Sequence, residues 1–211
     1  MAKFYPSENE RKVVGLRRLK FSVAMFSCRL DTPNVKMKFR ILQRYPDEQD
    51  NHYLYIAEIL DKKLILVKFT KRYSIELHAL CASRGRAPRI LGFERIAGGW
   101  SVIAMEYIHP AVHPSESTDL TRLCDQWADL RELVRSFHGE GWVHGDLRRP
   151  NMICNGETVM LLDWGGKIGE ARYPTALLCD ELRNGRHNTD AKITKDDDLR
   201  VLENAIQDLK N

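Results

Sequence analysis

The sequence predicts an α+β chain in two lobes, strand-rich in its first half and minimally helical in its second. Three observations carry that expectation. Apolar residues alternate in short runs bounded by turn residues between His52 and Ile108, the period-two signature of half-buried strands. They then recur at three- and four-residue steps from Leu120 to Phe137 and from Leu199 to Leu209, which places them on one face of a helix. Between the two regimes Pro110 and Pro114 interrupt the chain and mark a boundary. The expected division is an extension over residues 1–40, a strand lobe over 41–108 and a small helical lobe over 109–211.

Taken in order, residues 1–40 read as a lid, an extra strand or a docking arm. Val13, Val14, Leu16 and Leu19 suggest a short element, and Phe21, Val23 and Met25 alternate as a strand does. Tyr45 to Asn51 is a polar turn. His52 to Leu60 and Leu64 to Phe69 are strand-like runs joined at Asp61-Lys62-Lys63, which makes a hairpin. Tyr73 to Ala82 carries a helical pattern that ends near Gly85 and Pro88. A second hairpin runs Arg89 to Ile96, turns at Ala97-Gly98-Gly99 and returns from Trp100 to Ile108. The helix through Trp127, Leu130 and Val134 is capped by Thr118 or Asp119 and stopped at Gly139 or Gly141. Short runs at Met152–Cys154 and Val159–Leu162 follow, and a last helix has Asp196 to Asp198 at its positive end.

Composition narrows the function. Thirty-three basic residues against 29 acidic ones leave a formal +4, milder than the basic face of a dedicated nucleic-acid binder. No apolar run approaches the ~20 residues that span a bilayer, and Met1 to Lys12 lacks the apolar stretch of a signal peptide. The five cysteines are scattered without a Cys-x-x-Cys pair. They read as reduced and packed, which points to the cytoplasm or nucleus.

The chemistry concentrates in Val143-His144-Gly145-Asp146-Leu147-Arg148-Arg149-Pro150-Asn151, just after the long helix, and in Asp163-Trp164-Gly165 twelve residues beyond Asn151. Taken singly, each residue has a plain reading. Asp163 before Trp-Gly-Gly shapes a turn, Asn151 caps one, Glu76 is an exposed helix carboxylate and Lys68 a solvated strand charge. Taken in order, the set resembles the catalytic loop and metal-binding loop of the protein-kinase-like superfamily. Upstream, Val67-Lys68-Phe69 is similar to the ATP-contacting lysine strand, Glu76 lies on the helix after it, and Met105-Glu106-Tyr107-Ile108 resembles the hinge between lobes. The His-Gly-Asp spelling and compact second lobe resemble small atypical kinases, including fungal and Crinkler-effector modules and the aminoglycoside- and choline-kinase-like enzymes.

That resemblance implies ATP and Mg²⁺ as cofactors. Asn151 and Asp163 are the implied metal ligands, hard oxygens for a hard cation. Lys68 neutralises the α- and β-phosphates and Glu76 fixes it by an ion pair. Asp146 aligns the acceptor hydroxyl, and Arg148 stands where a lysine usually steadies the γ-phosphate. The Glu106 carbonyl and Ile108 amide take the adenine, with Ile153 as apolar floor and Met105 as gatekeeper. Trp164 packs with Leu80 and His144 as an inter-lobe spine, and Asp198 braces the catalytic loop.

The chain departs from that pattern in four places. Arg44 to Asn51 replaces the Gly-rich loop, with three carboxylates where backbone amides usually approach phosphate. Lys68 and Glu76 are close in sequence, so the intervening helix starts at once and is short. Only 48 residues follow Asp163, with Arg172-Tyr173-Pro174 near the place of the usual Ala-Pro-Glu. Gly145 also replaces the arginine that pairs with a phosphorylated loop, so activity independent of loop phosphorylation is expected. The expected function is a kinase acting on Ser/Thr hydroxyls of a protein substrate, itself included. A small-molecule acceptor or a pseudokinase scaffold are the alternatives. The missing glycines favour the scaffold; the presence of Lys68, Asp146, Asn151 and Asp163 opposes it.

Overall fold

The computed structural model describes residues 24–28, 35–45, 53–112, 114, 120–155, 158–174, 178–187 and 190–208. The expected element at Val13–Leu19, most of the turn at 45–51 and the Thr118 or Asp119 cap lie outside them. Among the described residues the first lobe is a six-stranded antiparallel sheet in the order β1-β2-β3-β4-β6-β5. Its strands are β1 (Ala24–Cys28), β2 (Val35–Arg44), β3 (Tyr53–Ile59), β4 (Leu64–Thr70), β5 (Ile90–Ile96) and β6 (Trp100–Glu106). The β3–β4 and β5–β6 hairpins fall where alternation and turn residues put them. Lys62 takes a positive φ of 59° in the first turn.

Strand β2 pairs with β3 from Phe39–Ile59 to Arg44–Tyr55, so it crosses the boundary expected at residue 41. Phe39 is buried in the sheet core with Ala57, Ile65, Val67, Val102 and Ala104, which ties this stretch to the lobe rather than to an extension. A Cβ on Gly92 of β5 would come within 3.1 Å of Met37 Cε on β2. Glycine there lets the sheet curl until strands from its two sides approach.

Helix α1 (Ile75–Ser83) begins at Ser74, whose hydroxyl accepts the Leu77 N–H, and buries Leu77, His78 and Cys81. These apolar residues belong to the core of the second lobe rather than to that of the sheet. Two arginines fasten the far end of α1. Arg84 donates to Ser136 Oγ and Glu140 Oε1, both at 2.9 Å. Arg86 donates to Gln126 Oε1 and Asp129 Oδ2, both at 2.6 Å.

Helix α2 (Leu120–Gly139) supplies Ser136, Glu140's neighbour Gly139, Gln126 and Asp129, and its stripe of Trp127, Leu130, Val134 and Phe137 is buried. Beyond it, β7 (Trp142–Val143) pairs with β10 (Gly166–Lys167), and β8 (Met152–Cys154) with β9 (Val159–Leu161). Short α3 (Asp180–Arg183) and α4 (Lys195–Gln207) complete the lobe. Helix α4 opens on a capping box in which Thr194 Oγ1 accepts the Asp197 N–H and Asp197 Oδ2 accepts the Thr194 N–H. Cys81, Cys154 and Cys179 are unbridged. Among the described residues no helix is long and apolar enough to cross a membrane.

Candidate active site

The loop after β7 is held from below by one buried carboxylate. Asp198 on α4 accepts the His144 N–H and the Gly145 N–H, each at 2.7 Å, and bonds His138 Nε2 at 3.0 Å. Gly145 has a φ of 84°, and a Cβ on it would come within 2.6 Å of Ile193 Cδ1. An arginine at that position would be strained by the backbone and would push the Ile193 side chain aside. Gly165 lies so close to the same loop that a Cβ would fall 2.4 Å from the His144 carbonyl oxygen.

From this base the loop projects Asp146. Arg148 holds it in a fork, Nε to Oδ1 at 2.5 Å and Nη2 to Oδ2 at 2.9 Å, and its third nitrogen reaches Glu181 Oε2 at 2.9 Å. The hydrogen bonds that Arg148 donates to Asp146 and Glu181 drive its pKa upward. Asn151 Nδ2 donates to the Asp146 carbonyl at 3.0 Å, which ties the amide to the loop by its nitrogen and not by its Oδ1. The Leu162 N–H donates to the Asn151 carbonyl at 2.8 Å, so the two loops are stitched together just before Asp163. Asp163 itself sits at a positive φ of 64°.

Lys68, near the middle of β4, pairs with Asp163 across the cleft. Burial lowers its pKa from 10.5 to about 8, against the opposing pull of the Asp146 carboxylate. The structure thus brings Lys68, Asp146, Asn151 and Asp163 together. It does not bring in Glu76, and the expected Lys68–Glu76 ion pair is absent. The physical reason is where α1 starts. The cap at Ser74 puts Glu76 in the first turn, where it is exposed and Ser74 Oγ donates to it at 3.5 Å. Tyr73 and His78 occupy the inner side instead. His78 Nε2 donates to the Pro88 carbonyl at 2.7 Å, so Nδ1 accepts the Tyr73 hydroxyl at 2.7 Å. Burial pushes His78 down to about 4, keeping it neutral.

Trp164 is the link between lobes. It stacks on His78 at 4.9 Å and lies tilted against His144 at 5.2 Å. Leu80 packs on the same core from a half-buried position, while the ring that meets Trp164 from α1 is His78. His144 is fully enclosed, its pKa lowered by burial, and its Nδ1 accepts the Asp146 N–H at 3.3 Å. It is a packed neutral ring. At the hinge, Glu106 ends β6 with its N–H donated to the Arg89 carbonyl at 2.9 Å. Met105 is buried behind it, and Ile108 and Ile153 are half-buried. Tyr45 and Tyr107 meet edge-on at 6.3 Å.

No protein-family model and no curated protein matches the chain. Among solved structures, the kinase PK-1 of Cydia pomonella granulovirus is similar to it, with a TM-score of 0.60 and 14% identity over 81% of this chain and 70% of that one. The fold is protein-kinase-like. At that identity the likeness speaks to architecture: an α+β chain with a sheet lobe and a small helical lobe. Sequence reasoning missed Glu181, Tyr73 and His78. Glu181 reaches the site through a short helix with no periodic signal, and a tyrosine and histidine five apart announce nothing until the helix start is fixed.

Proposed function

We propose that the protein is an ATP- and Mg²⁺-dependent phosphotransferase, an atypical kinase acting on Ser/Thr hydroxyls of a protein, itself included. The observation that carries this reading is the convergence of Lys68, Asp163, Asp146 and Asn151 on one cleft. Phosphoryl transfer asks mainly for positioning and charge neutralisation, and these residue types supply both. The donor set fits the metal. Asn151 Oδ1 and the Asp163 carboxylate are two hard oxygens, suited to a cation that completes its shell with phosphate and water. Among the described residues no cluster of three or more His, Cys, Asp or Glu forms a separate metal cage. Mg²⁺ held by Asn151 and Asp163 would supply charge neutralisation to the phosphates.

The chain's own groups do the rest. Lys68, held in a desolvated position, offers its charge to the phosphates in place of Asp163. Each Asp146 oxygen carries one Arg148 bond and keeps a second lone pair to align the acceptor hydroxyl. The backbone beyond Met105 and the side chain of Ile153 flank the adenine. One observation favours a second reading, a nucleotide-binding scaffold without turnover: Arg148 engages both oxygens of Asp146 and closes the chain of charges onto Glu181.

Transfer from γ-labelled ATP with Mg²⁺, comparing the protein with Asp146→Asn, separates these readings. Label on protein that falls at least about a hundredfold in the variant supports the kinase. Nucleotide binding without transfer in either supports the scaffold, and label on a small acceptor but not on protein moves the substrate class.

A further inference from the structure

At the end of the sheet away from the hinge, a cavity of about 260 Å³ opens where β4 runs into α1 and the β5–β6 hairpin turns back. Its walls include Lys71, Tyr73, Arg95, Ile96, Trp100 and Ser101. Among the described residues both charged walls are cations and no carboxylate lines the cavity. Among the described residues neither cation has an acidic partner; Lys71 Nζ lies over the Trp100 ring at 5.4 Å. Beside them the surface is apolar. Ile96 is 38% and Tyr53 48% exposed, and Tyr53 stands edge-on to Trp100 at 5.2 Å. Tyr73 separates the cavity from the cleft, since its ring also carries Lys68 Nζ at 5.9 Å and its hydroxyl is bonded to His78.

We propose that this cavity is a docking pocket for a peptide segment of a partner protein, one that places an anionic side chain beside an aromatic or branched aliphatic one. Two cations lining one recess, with no counter-charge among the described residues, attract an anion, and charge-assisted bonds to a phosphate or carboxylate are the strong kind. A free anion would leave Ile96, Tyr53 and Trp100 uncovered, whereas a peptide covers both halves of the surface. The pocket stands apart from the transfer chemistry, and its test needs no activity.

The experiment is fluorescence anisotropy on the full chain with a labelled peptide carrying phosphoserine next to phenylalanine, and with its Glu and Ala counterparts. Binding of the phosphoserine and Glu peptides, at least about tenfold tighter than the Ala peptide, supports the pocket. So does a loss of about fivefold or more in Lys71→Ala and in Arg95→Ala, with Lys63→Ala in the β3–β4 turn unchanged. Both variants sit on the exposed surface, and an unchanged thermal midpoint confirms that the loss is one of binding. Equal binding of all three peptides, or binding of none, overturns the proposal. Inorganic phosphate that binds as tightly as the peptide makes it a free-anion site and overturns it. Displacement by a non-hydrolysable ATP analogue returns the cations to the cleft and does the same.

Discussion

Lys68 and Asp198 are each a single side chain whose surroundings decide what it does. Lys68 has an ordinary pKa of 10.5 in the unfolded chain and about 8 when folded. Between those values the unfolded state binds more protons, so this site's contribution to stability rises as pH climbs from about 8 to about 10.5. Urea unfolding of the protein and of Lys68→Met, across that window, is expected to differ by an amount that grows by roughly 1–3 kcal/mol. A difference that stays flat with pH contradicts the buried placement. In the free protein the same loss of charge above about pH 8 should weaken ATP binding.

Asp196, Asp197 and Asp198 look interchangeable in the sequence, three acids at a helix start. The structure gives them three jobs: Asp196 is exposed, Asp197 closes the capping box and Asp198 holds two loop amides and His138. Asp198→Ala leaves those donors without their acceptor and should cost roughly 2–5 kcal/mol. Asp196→Ala should cost under about 1 kcal/mol. Thermal melts of the two variants measure the contrast. The bracing role of Asp198 was legible from its resemblance, not from the charge pattern, because burial is a tertiary property.

Among elements, α1 teaches the most about what a sequence discloses. Its position, its early start and its stop near Gly85 follow from local signals: the Ser74 cap, the apolar run and the turn residues after it. Whether Glu76 faces the lysine does not follow, because Leu77, Leu80 and Cys81 share one face, Ile75 lies opposite, and Glu76 falls at the edge between them. The start at Ser74 fixes Glu76 in the first turn, where it is exposed. Glu76→Ala is therefore expected to change ATP affinity by less than about twofold. A tenfold loss in a titration with nucleotide would mean that the helix turns inward when ATP binds. The hairpins were legible throughout because alternation and turn chemistry agree there. The β7–β10 and β8–β9 ribbons were less so, since two- and three-residue pairings carry almost no periodic signal.

Across the whole molecule, the two lobes do not divide their cores where the strands end. Leu77 and Cys81 of α1 are buried with Trp127, Leu130, Phe137, Leu161 and Trp164, while the sheet keeps a separate cluster around Ile65 and Val67. Helix α1 should therefore open with the second lobe. Leu130→Ala, expected to cost roughly 2–5 kcal/mol, should lower hydrogen-exchange protection in α1 and α4 together. The β3–β4–β6 ladder should keep its protection. Loss of the ladder before α1 would place the helix with the sheet. Sequence spacing assigns α1 to the first half of the chain, and only packing reveals to which core it belongs.

The arginine clasp at the far end of α1 bears on how the chain can be inhibited. Compounds that gain selectivity by wedging a helix outward and occupying the space behind it need that helix to leave cheaply. Here displacement breaks the contacts of Arg84 and Arg86 with Ser136, Glu140, Gln126 and Asp129, and uncovers Leu77 and Cys81. A compound that leaves the helix in place has the segment after β6 to discriminate by, where the rings of Tyr45 and Tyr107 meet edge-on.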